Sequence, residues 1–497
     1  MPSQRPGELS AAQRATATPD ADRSPDADKS SRSGPVLLLI GFAGIAVTAL
    51  LGPSAAEAPL GAHDNPATPP WHLHANPPAW LVTVLVAVAV LAGAAALALG
   101  LTGRWRPRPR RLLAAGVLAT AVLAVLPPIG SADPLSYAAY GRMVATGHDP
   151  YTTTPAQLAA RGDPVGRAVE LPWQHTPSVY GPLASAEQGA ASELAGHDTA
   201  LTVLLLDLVG AAAFFVAGLM LHRTCRGESG RRRAALLWTA NPLLWLQLVA
   251  GAHLDVFAAA FAVSAIAVAR RSRFAAGVLA GAATAVKAPA GLVALALLWA
   301  ARRSRRAAAE VIVGVGLVAG TGYAVAGSAA LRQLRRAAAM VSLATPWRPL
   351  SDLTDPGLGH ASSRHLLGAL SVVLFLVLVA ALARRQPAVR TGDPAAVATV
   401  LLIGYVLAAT YALPWYDATA WALLPLLAAS RLDAVVLAHT TVLSLAYLPG
   451  RAAVALHGWL HTVTSGMRSV ASPALVTALL AAVILAGVWQ RSRPRAA

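Results

Sequence analysis

Apolar runs of roughly membrane-spanning length recur along the whole chain, with short arginine clusters between them, and this alternation is its strongest constraint. Such runs can be buried only in lipid or against one another. In lipid the backbone must satisfy its own hydrogen bonds, so an all-α polytopic membrane protein is expected. Hydrophobic residues make up 56% of the chain and charged residues 13%, values outside the soluble globular range. The formal charge of +17 comes from arginines between the runs, a positive-inside pattern and not a nucleic-acid surface. The single cysteine, Cys225, excludes an internal disulfide and any cysteine-built metal cluster.

Arginine clusters assign the two sides. Residues 1–34 are polar, have no apolar face and read as a disordered cytoplasmic tail. Spans at 35–53 and 79–102 enclose a loop, 54–78, without Lys or Arg, which faces outward. The basic loop 103–111 follows, and the span 112–130 crosses outward to deliver Asp133. Further spans are expected at 201–221, 234–250 and 256–269, then a hairpin at 274–301 with arginines on both flanks. Beyond it come 310–326, 365–383, 395–413, 418–430, 435–448 and 473–490, for about 13 membrane segments in all. The division that follows is two additional N-terminal spans (35–111), a module at 112–326 with external loop 131–200, a second external loop at 327–362, C-terminal helices at 363–490 and a cytoplasmic tail at 491–497.

The hairpin is the unusual element. Its arms of roughly 13 residues reach about 20 Å, short of a bilayer core of about 30 Å. It bends at VKAP, where Pro289 disfavours helix in the residue before it. Lys287 therefore lies deep in the membrane domain towards the outer side, and it is the only lysine outside the tail. An ionisable residue at that depth pairs with a countercharge or binds a ligand.

The longest polar interruption, 132–182, holds Asp133, Arg142, His148, Asp149, His175 and a Tyr-Gly-Pro at 180–182 among prolines and aromatics. It has many turn signals and no helix or strand period, the character of a functional loop at the mouth of a membrane domain. No Walker motif, no strand-linked GxGxxG and no zinc-type His spacing occurs, so nucleotide-driven chemistry is not expected. A carboxylate at an outer membrane face, with aromatics and buried basic groups, points to a lipid-borne anionic substrate.

The residues DPLSYAAYGRMVATGHDPY (133–151) and TPSVYGP (176–182) carry a resemblance, supported by NPLLWLQLVAGAHLD (241–255), KAP (287–289) and PWY (414–416). The chain resembles the GT-C glycosyltransferases that use polyprenyl-phosphate sugars. More narrowly, it is similar to the polyprenol-phosphomannose-dependent α-(1→6)-mannopyranosyltransferases of actinobacterial cell envelopes. The resemblance implies an inverting hexosyltransferase of the cytoplasmic membrane with its active site facing outward. It would take mannose from a polyprenyl-phosphate carrier to a glycan or glycolipid acceptor of the mannan, lipoglycan or lipomannan type. Asp133 would be the general base. Relatives often carry His-Asn-Asp where this chain has His253-Leu254-Asp255, which keeps the two outer residues in place.

The residue types suit that chemistry. An acceptor hydroxyl needs a base during attack, and the leaving lipid phosphate needs positive charge nearby. Lys287, Arg364 and Arg348 are the candidates for that charge, with His253 beside them. His253, Asp255 and His175 are candidate acceptor or sugar contacts, and Tyr137, Trp173, Tyr180, Trp347, Trp415 and Tyr416 can stack on sugars or line a lipid groove. Simpler roles stand beside these: Asp133 before a proline as a helix start, Lys287 as a structural ion pair, and the aromatics as interface anchors. No spacing demands a divalent ion, and no bound metal or cofactor is expected. The competing readings are a transporter or flippase of lipid-linked sugars, a scaffold for envelope assembly, and an enzyme using another polyprenyl-phosphate sugar.

Overall fold

The apolar runs become helices. The computed structural model describes residues 25–61 and 68–489, and among these no strand forms beyond an isolated bridge between Glu57 and Ile129. The expected all-α polytopic architecture is the one the chain adopts. Six helices among the described residues are long and apolar enough to cross a membrane: Ser33–Leu50, Ala79–Leu101, Thr199–Thr224, Arg305–Ala338, His360–Ala383 and Gly458–Ala486. Their outer faces present Ile312, Val313, Leu317, Val372, Val373 and Leu376, each more than half exposed, as a lipid-facing surface does. The other apolar runs form shorter helices, including Asp255–Val268, Arg273–Val286 and Pro394–Ala408. Helix length alone therefore marks six crossings where about 13 segments were expected, because hydropathy does not separate a spanning helix from a short one buried inside the bundle.

Several boundaries differ from the expectation, each for a local reason. The first helix is Pro25–Leu51, so part of the stretch read as a disordered tail is helical; residues 1–24 and the C-terminal tail at 491–497 lie outside the described residues. Once an apolar run has nucleated a helix, extension by a few residues costs little. The run 112–130 is helical only over Pro109–Leu123, since Pro127 and Pro128 cannot continue a helix. The run 234–250 breaks at Asn241-Pro242, where the Asn241 side chain accepts from the Leu243 and Leu244 amides, and wide π-type turns, Ala235–Thr239 and Trp245–Val249, flank the break. The run 418–430 holds only the short helix Ala418–Leu423 and a 3₁₀ turn at Leu424–Leu426. At about 1.5 Å per residue that helix is too short to span a bilayer.

The two ends of the bundle differ in character. Arg233 binds the Asp433 carboxylate at 2.7 and 2.6 Å and the Leu427 carbonyl at 3.1 Å, while Cys225 lies 3.3 Å from the Pro425 carbonyl. Gln386 contacts Ser430, Arg385 bonds the Ala486 carbonyl, and Arg302 packs on Gly392. These contacts gather the arginine clusters at one end. The polar loops meet at the other, where Ile129 N–H donates to the Ala250 carbonyl (2.7 Å), Gly181 N–H to Val286 (3.0 Å) and Ser342 N–H to Thr410 (3.0 Å). The helix Arg273–Val286 ends at Lys287, whose extended backbone (φ −147°, ψ 116°) breaks it before Leu292–Ala301. Gly277 and Gly281 of the first arm lie against Val311 and Val315 of the helix Arg305–Val315, so these two helices run in the same direction. Leu292–Ala301, which connects them in sequence, therefore runs back the other way, as the arginine flanks require of a hairpin.

Candidate active site

At the loop-bearing end, the segment 127–130 is held from both sides. Ala58 N–H donates to the Pro128 carbonyl (3.1 Å), Gly130 N–H to Ala56 (2.8 Å), and Ile129 N–H to Ala250. The loop between the first two long helices thus fixes the approach to Asp133. Asp133 opens the helix Asp133–Ala145, whose N-cap residue, Ala132, offers no side chain to the first amides. The Asp133 backbone N–H donates to Ser131 Oγ (3.0 Å), while its carboxylate Oδ2 lies 3.5 Å from the Tyr137 hydroxyl and 3.8 Å from His253 Nε2. The carboxylate therefore faces the site and does not cap its own helix. Burial pushes its carboxyl up from an ordinary 3.8 to about 6, against the opposing charge of Lys287.

His253 and Asp255 sit on the turn after the Trp245–Val249 π segment. Ala252 takes a left-handed conformation there (φ 49°), a strained choice for a residue with a Cβ. His253 Nδ1 lies 2.5 Å from the Gln247 carbonyl, and its ring stacks on Trp415 at 3.7 Å with 18° between planes. A carbonyl only accepts, so Nδ1 carries the proton and Nε2 is a bare acceptor. Burial holds the imidazole at about 3, which keeps it neutral, and Nε2 has no hydrogen-bond partner. Two acceptors, Asp133 Oδ2 and His253 Nε2, thus face each other 3.8 Å apart. A hydroxyl brought to this place could donate its one proton to either acceptor.

Lys287 completes the cluster. Its Nζ donates to Asp255 Oδ1 at 2.5 Å and stands 3.5 Å from the Tyr416 ring centroid. One of its three protons engages Asp255, which leaves donor capacity for an anion. The loop 176–182 is pinned beside it by the Gly181–Val286 hydrogen bond, and a Cβ at Gly181 would lie 2.1 Å from the Ala285 carbonyl oxygen, so only glycine fits. Tyr180 packs edge-on to Tyr137 at 5.2 Å.

The wall behind is a short turn, Pro414–Asp417, that carries Trp415 and Tyr416. Asp417 is fully buried and meets His439 Nδ1 (2.9 Å) and the Thr440 hydroxyl (2.6 Å), and Thr440 Oγ1 accepts from Trp421 Nε1 at 2.8 Å. This network sets the turn, and through it the ring under His253 and the ring under Lys287.

The family model described as "Alpha-(1->6)-mannopyranosyltransferase, N-terminal domain" matches residues 38–303, more than half of the 497-residue chain. The chain belongs to this family. The match begins within the first long helix, and it contains Asp133, His253, Asp255 and Lys287. An alpha-(1->6)-mannopyranosyltransferase of Mycobacterium tuberculosis is 35% identical over 136 residues, 26% of this chain and 22% of the relative. The alpha-(1->6)-mannopyranosyltransferase B of Corynebacterium glutamicum is 33% identical over 129 residues (25% and 21%), and its alpha-(1->6)-mannopyranosyltransferase A is 27% identical over 175 residues (35% of each). The chain thus spans about a third or less of these relatives' lengths. No solved structure matches it.

The structure gathers Asp133, Tyr137, Tyr180, His253, Asp255, Lys287, Trp415 and Tyr416 into one cluster. Other candidate residues lie elsewhere. Trp173 packs with Val165, Val169 and Ala138 in a separate apolar cluster, and His175 is exposed. Arg348 pairs with Asp352 (3.0 Å), and Arg364 lies 3.9 Å from Asp355 with its buried Nη1 left without a hydrogen-bond partner, both within the segment that follows Trp347. Trp347 itself donates from Nε1 to the Ala408 carbonyl, an anchoring role. Asp417 and His439 were not singled out from the sequence, although a histidine inside the apolar run 435–448 was the available signal. Among the described residues, no three His, Cys, Asp or Glu side chains stand close enough to share a metal ion.

Proposed function

We propose that this protein is an inverting membrane mannosyltransferase. It takes mannose from polyprenyl-phosphate-mannose and forms an α-(1→6) linkage on a mannan- or lipoglycan-type acceptor, with the loop-bearing end on the outer face of the plasma membrane. The observation that carries the reading is Asp133 Oδ2 facing the bare Nε2 of His253, with the Lys287–Asp255 pair in the same cluster. Family membership and the relatives' names support mannosyl transfer.

In this mechanism the acceptor hydroxyl enters the gap between Asp133 and His253. As its oxygen attacks the anomeric carbon of a β-linked donor, Asp133 takes the proton, the bond from that carbon to the phosphate oxygen breaks, and polyprenyl phosphate leaves as a monoester. A base near the operating pH serves best, and a carboxyl raised to about 6 is ionised yet still basic at neutral pH. Lys287 is positioned for the developing phosphate charge, with Asp255 and Tyr416 holding its ammonium in place. The test is purified protein with polyprenyl-phosphate-mannose and an α-mannoside acceptor, followed by linkage analysis. Product with a new α-(1→6) mannose supports the reading; hydrolysis alone, or movement of intact carrier across vesicles, overturns it.

A further inference from the structure

The arginine-bearing end holds a second feature that the transfer reaction does not use. The parallel helices Arg273–Val286 and Arg305–Val315 pack tightly where Gly277 and Gly281 meet Val311 and Val315 and where Gly314 meets the Phe274 carbonyl, and the residues before this contact bound a recess. It is a cleft of about 640 Å³, closed on its third side by the turn 269–271 after the helix Asp255–Val268. Arg270, Arg271, Arg273 and Arg306 line it against a single carboxylate, Glu310. Glu310 is taken by Arg306 at 3.1 Å, and among the described residues no ion pair engages the other three guanidinium groups. The first turn of Arg273–Val286 opens here, with Ser272 capping only the Ala275 amide (3.1 Å), so the positive end of the helix adds to the field.

The remaining wall is apolar and leads out of the cleft. Phe274 and Val313 line it, 42% and 59% exposed. Leu317, one turn beyond Val313 on the same helix face, is 55% exposed and continues the track towards the middle of the bundle. A convergent set of guanidinium groups at the head of an exposed apolar track is complementary to a phosphodiester carrying an acyl chain. A soluble anion would use the first part alone.

We propose that this cleft binds one anionic diacyl phospholipid of the surrounding leaflet, its phosphodiester among Arg270, Arg273 and Arg306 and one chain along Phe274, Val313 and Leu317. Guanidinium forks suit phosphate oxygens in two-point contact, and basic pockets between membrane helices select such headgroups. The inference rests on the membrane reading of the fold and not on the transfer reaction, so either can fail without the other.

The test uses full-length protein purified in neutral detergent and titrated with phosphatidylglycerol, phosphatidylcholine or sn-glycerol 3-phosphate. Retained lipid is counted by native mass spectrometry and the thermal unfolding midpoint is followed. The triple variant Arg270→Gln/Arg273→Gln/Arg306→Gln is compared with Arg302→Gln/Arg303→Gln/Arg305→Gln, which removes equal charge from residues that do not line the cleft. One phosphatidylglycerol per chain is expected, with affinity at least about tenfold weaker in the cleft variant and within about twofold of wild type in the other. If the cleft triple does not fold, Arg270→Gln and Arg273→Gln singly must each weaken retention. Equal loss in both triples, equal retention of phosphatidylcholine, or glycerol phosphate binding as tightly as the lipid overturns the proposal.

Discussion

Replacing Lys287 separates two roles that the geometry superimposes. Lys287→Met leaves Asp255, whose side chain is 5% exposed, without its countercharge, and its Oδ2 already lacks a hydrogen-bond partner. Removing one half of a buried pair costs about 3–5 kcal/mol, so this variant is expected to unfold at a clearly lower temperature. Lost ligand binding in it would then report damage as much as function. The double variant Lys287→Met/Asp255→Asn removes the stranded charge at nearly constant volume and is expected to recover most of the midpoint. If Lys287 meets the donor phosphate, the double variant still lacks a charge-assisted contact worth about 1.5–3 kcal/mol. That corresponds to a roughly 10- to 150-fold weaker dissociation constant. The assay is titration with a short-chain polyprenyl phosphate in detergent, beside thermal unfolding of wild type and both variants. A double variant that is stable and binds within twofold of wild type refutes the reasoning and leaves Lys287 a structural partner of Asp255.

Three further outcomes follow from the same geometry. The Asp133 carboxyl, raised by burial to about 6, takes up its proton as pH falls through that value, so kcat/KM should drop on the acid side near pH 6 while neutral His253 adds no second step; an acid limb near pH 4 contradicts the burial argument. With the loop end outward, a cysteine placed at Gly162 in a Cys225→Ala background should react with an impermeant maleimide in intact cells; labelling only after permeabilisation reverses the orientation. Transfer should stay within about twofold after dialysis against EDTA, because leaving-group charge is assigned to Lys287; an activity restored by Mg²⁺ or Mn²⁺ would contradict that assignment.

The members of the candidate cluster could be picked out from residues that interrupt apolar runs. Asp133 after a span, GAHLD at a turn, VKAP in a short hairpin and PWY before a buried stretch all advertise themselves against an alanine-leucine background. The structure brings those four interruptions together. Arg348 and Arg364 stand beside Asp352 and Asp355 in the segment after Trp347 (3.0 and 3.9 Å), a proximity that charge counting does not weigh. The break at Asn241-Pro242 lay inside a run whose average hydropathy stayed high, so the wide turns that aim His253 were hidden. Asp417 and His439 satisfy each other from separate helical segments, and their pairing exists only in three dimensions. The same holds for residues 56–58, whose backbone bonds to 128–130 tie the loop between the first two long helices to the approach to Asp133.

The most direct test of the account is mannosyl transfer by Asp133→Asn at saturating donor, measured with its thermal unfolding midpoint. Asparagine keeps the shape and one acceptor oxygen but cannot take the proton. General-base contributions are about 10²–10⁴-fold, and the rate is expected to fall by that order with donor affinity retained. Stability should move the other way. A carboxyl raised from 3.8 to about 6 on folding makes the native state progressively less stable as pH rises through that window, by about 3 kcal/mol once ionised, and asparagine relieves that cost at pH 7. A variant at least as stable as wild type and slowed a hundredfold or more is the predicted result. A stable Asp133→Asn protein that transfers mannose within a few-fold of wild type would contradict the account, and a dead Asp255→Asn beside it would place the base on the other loop.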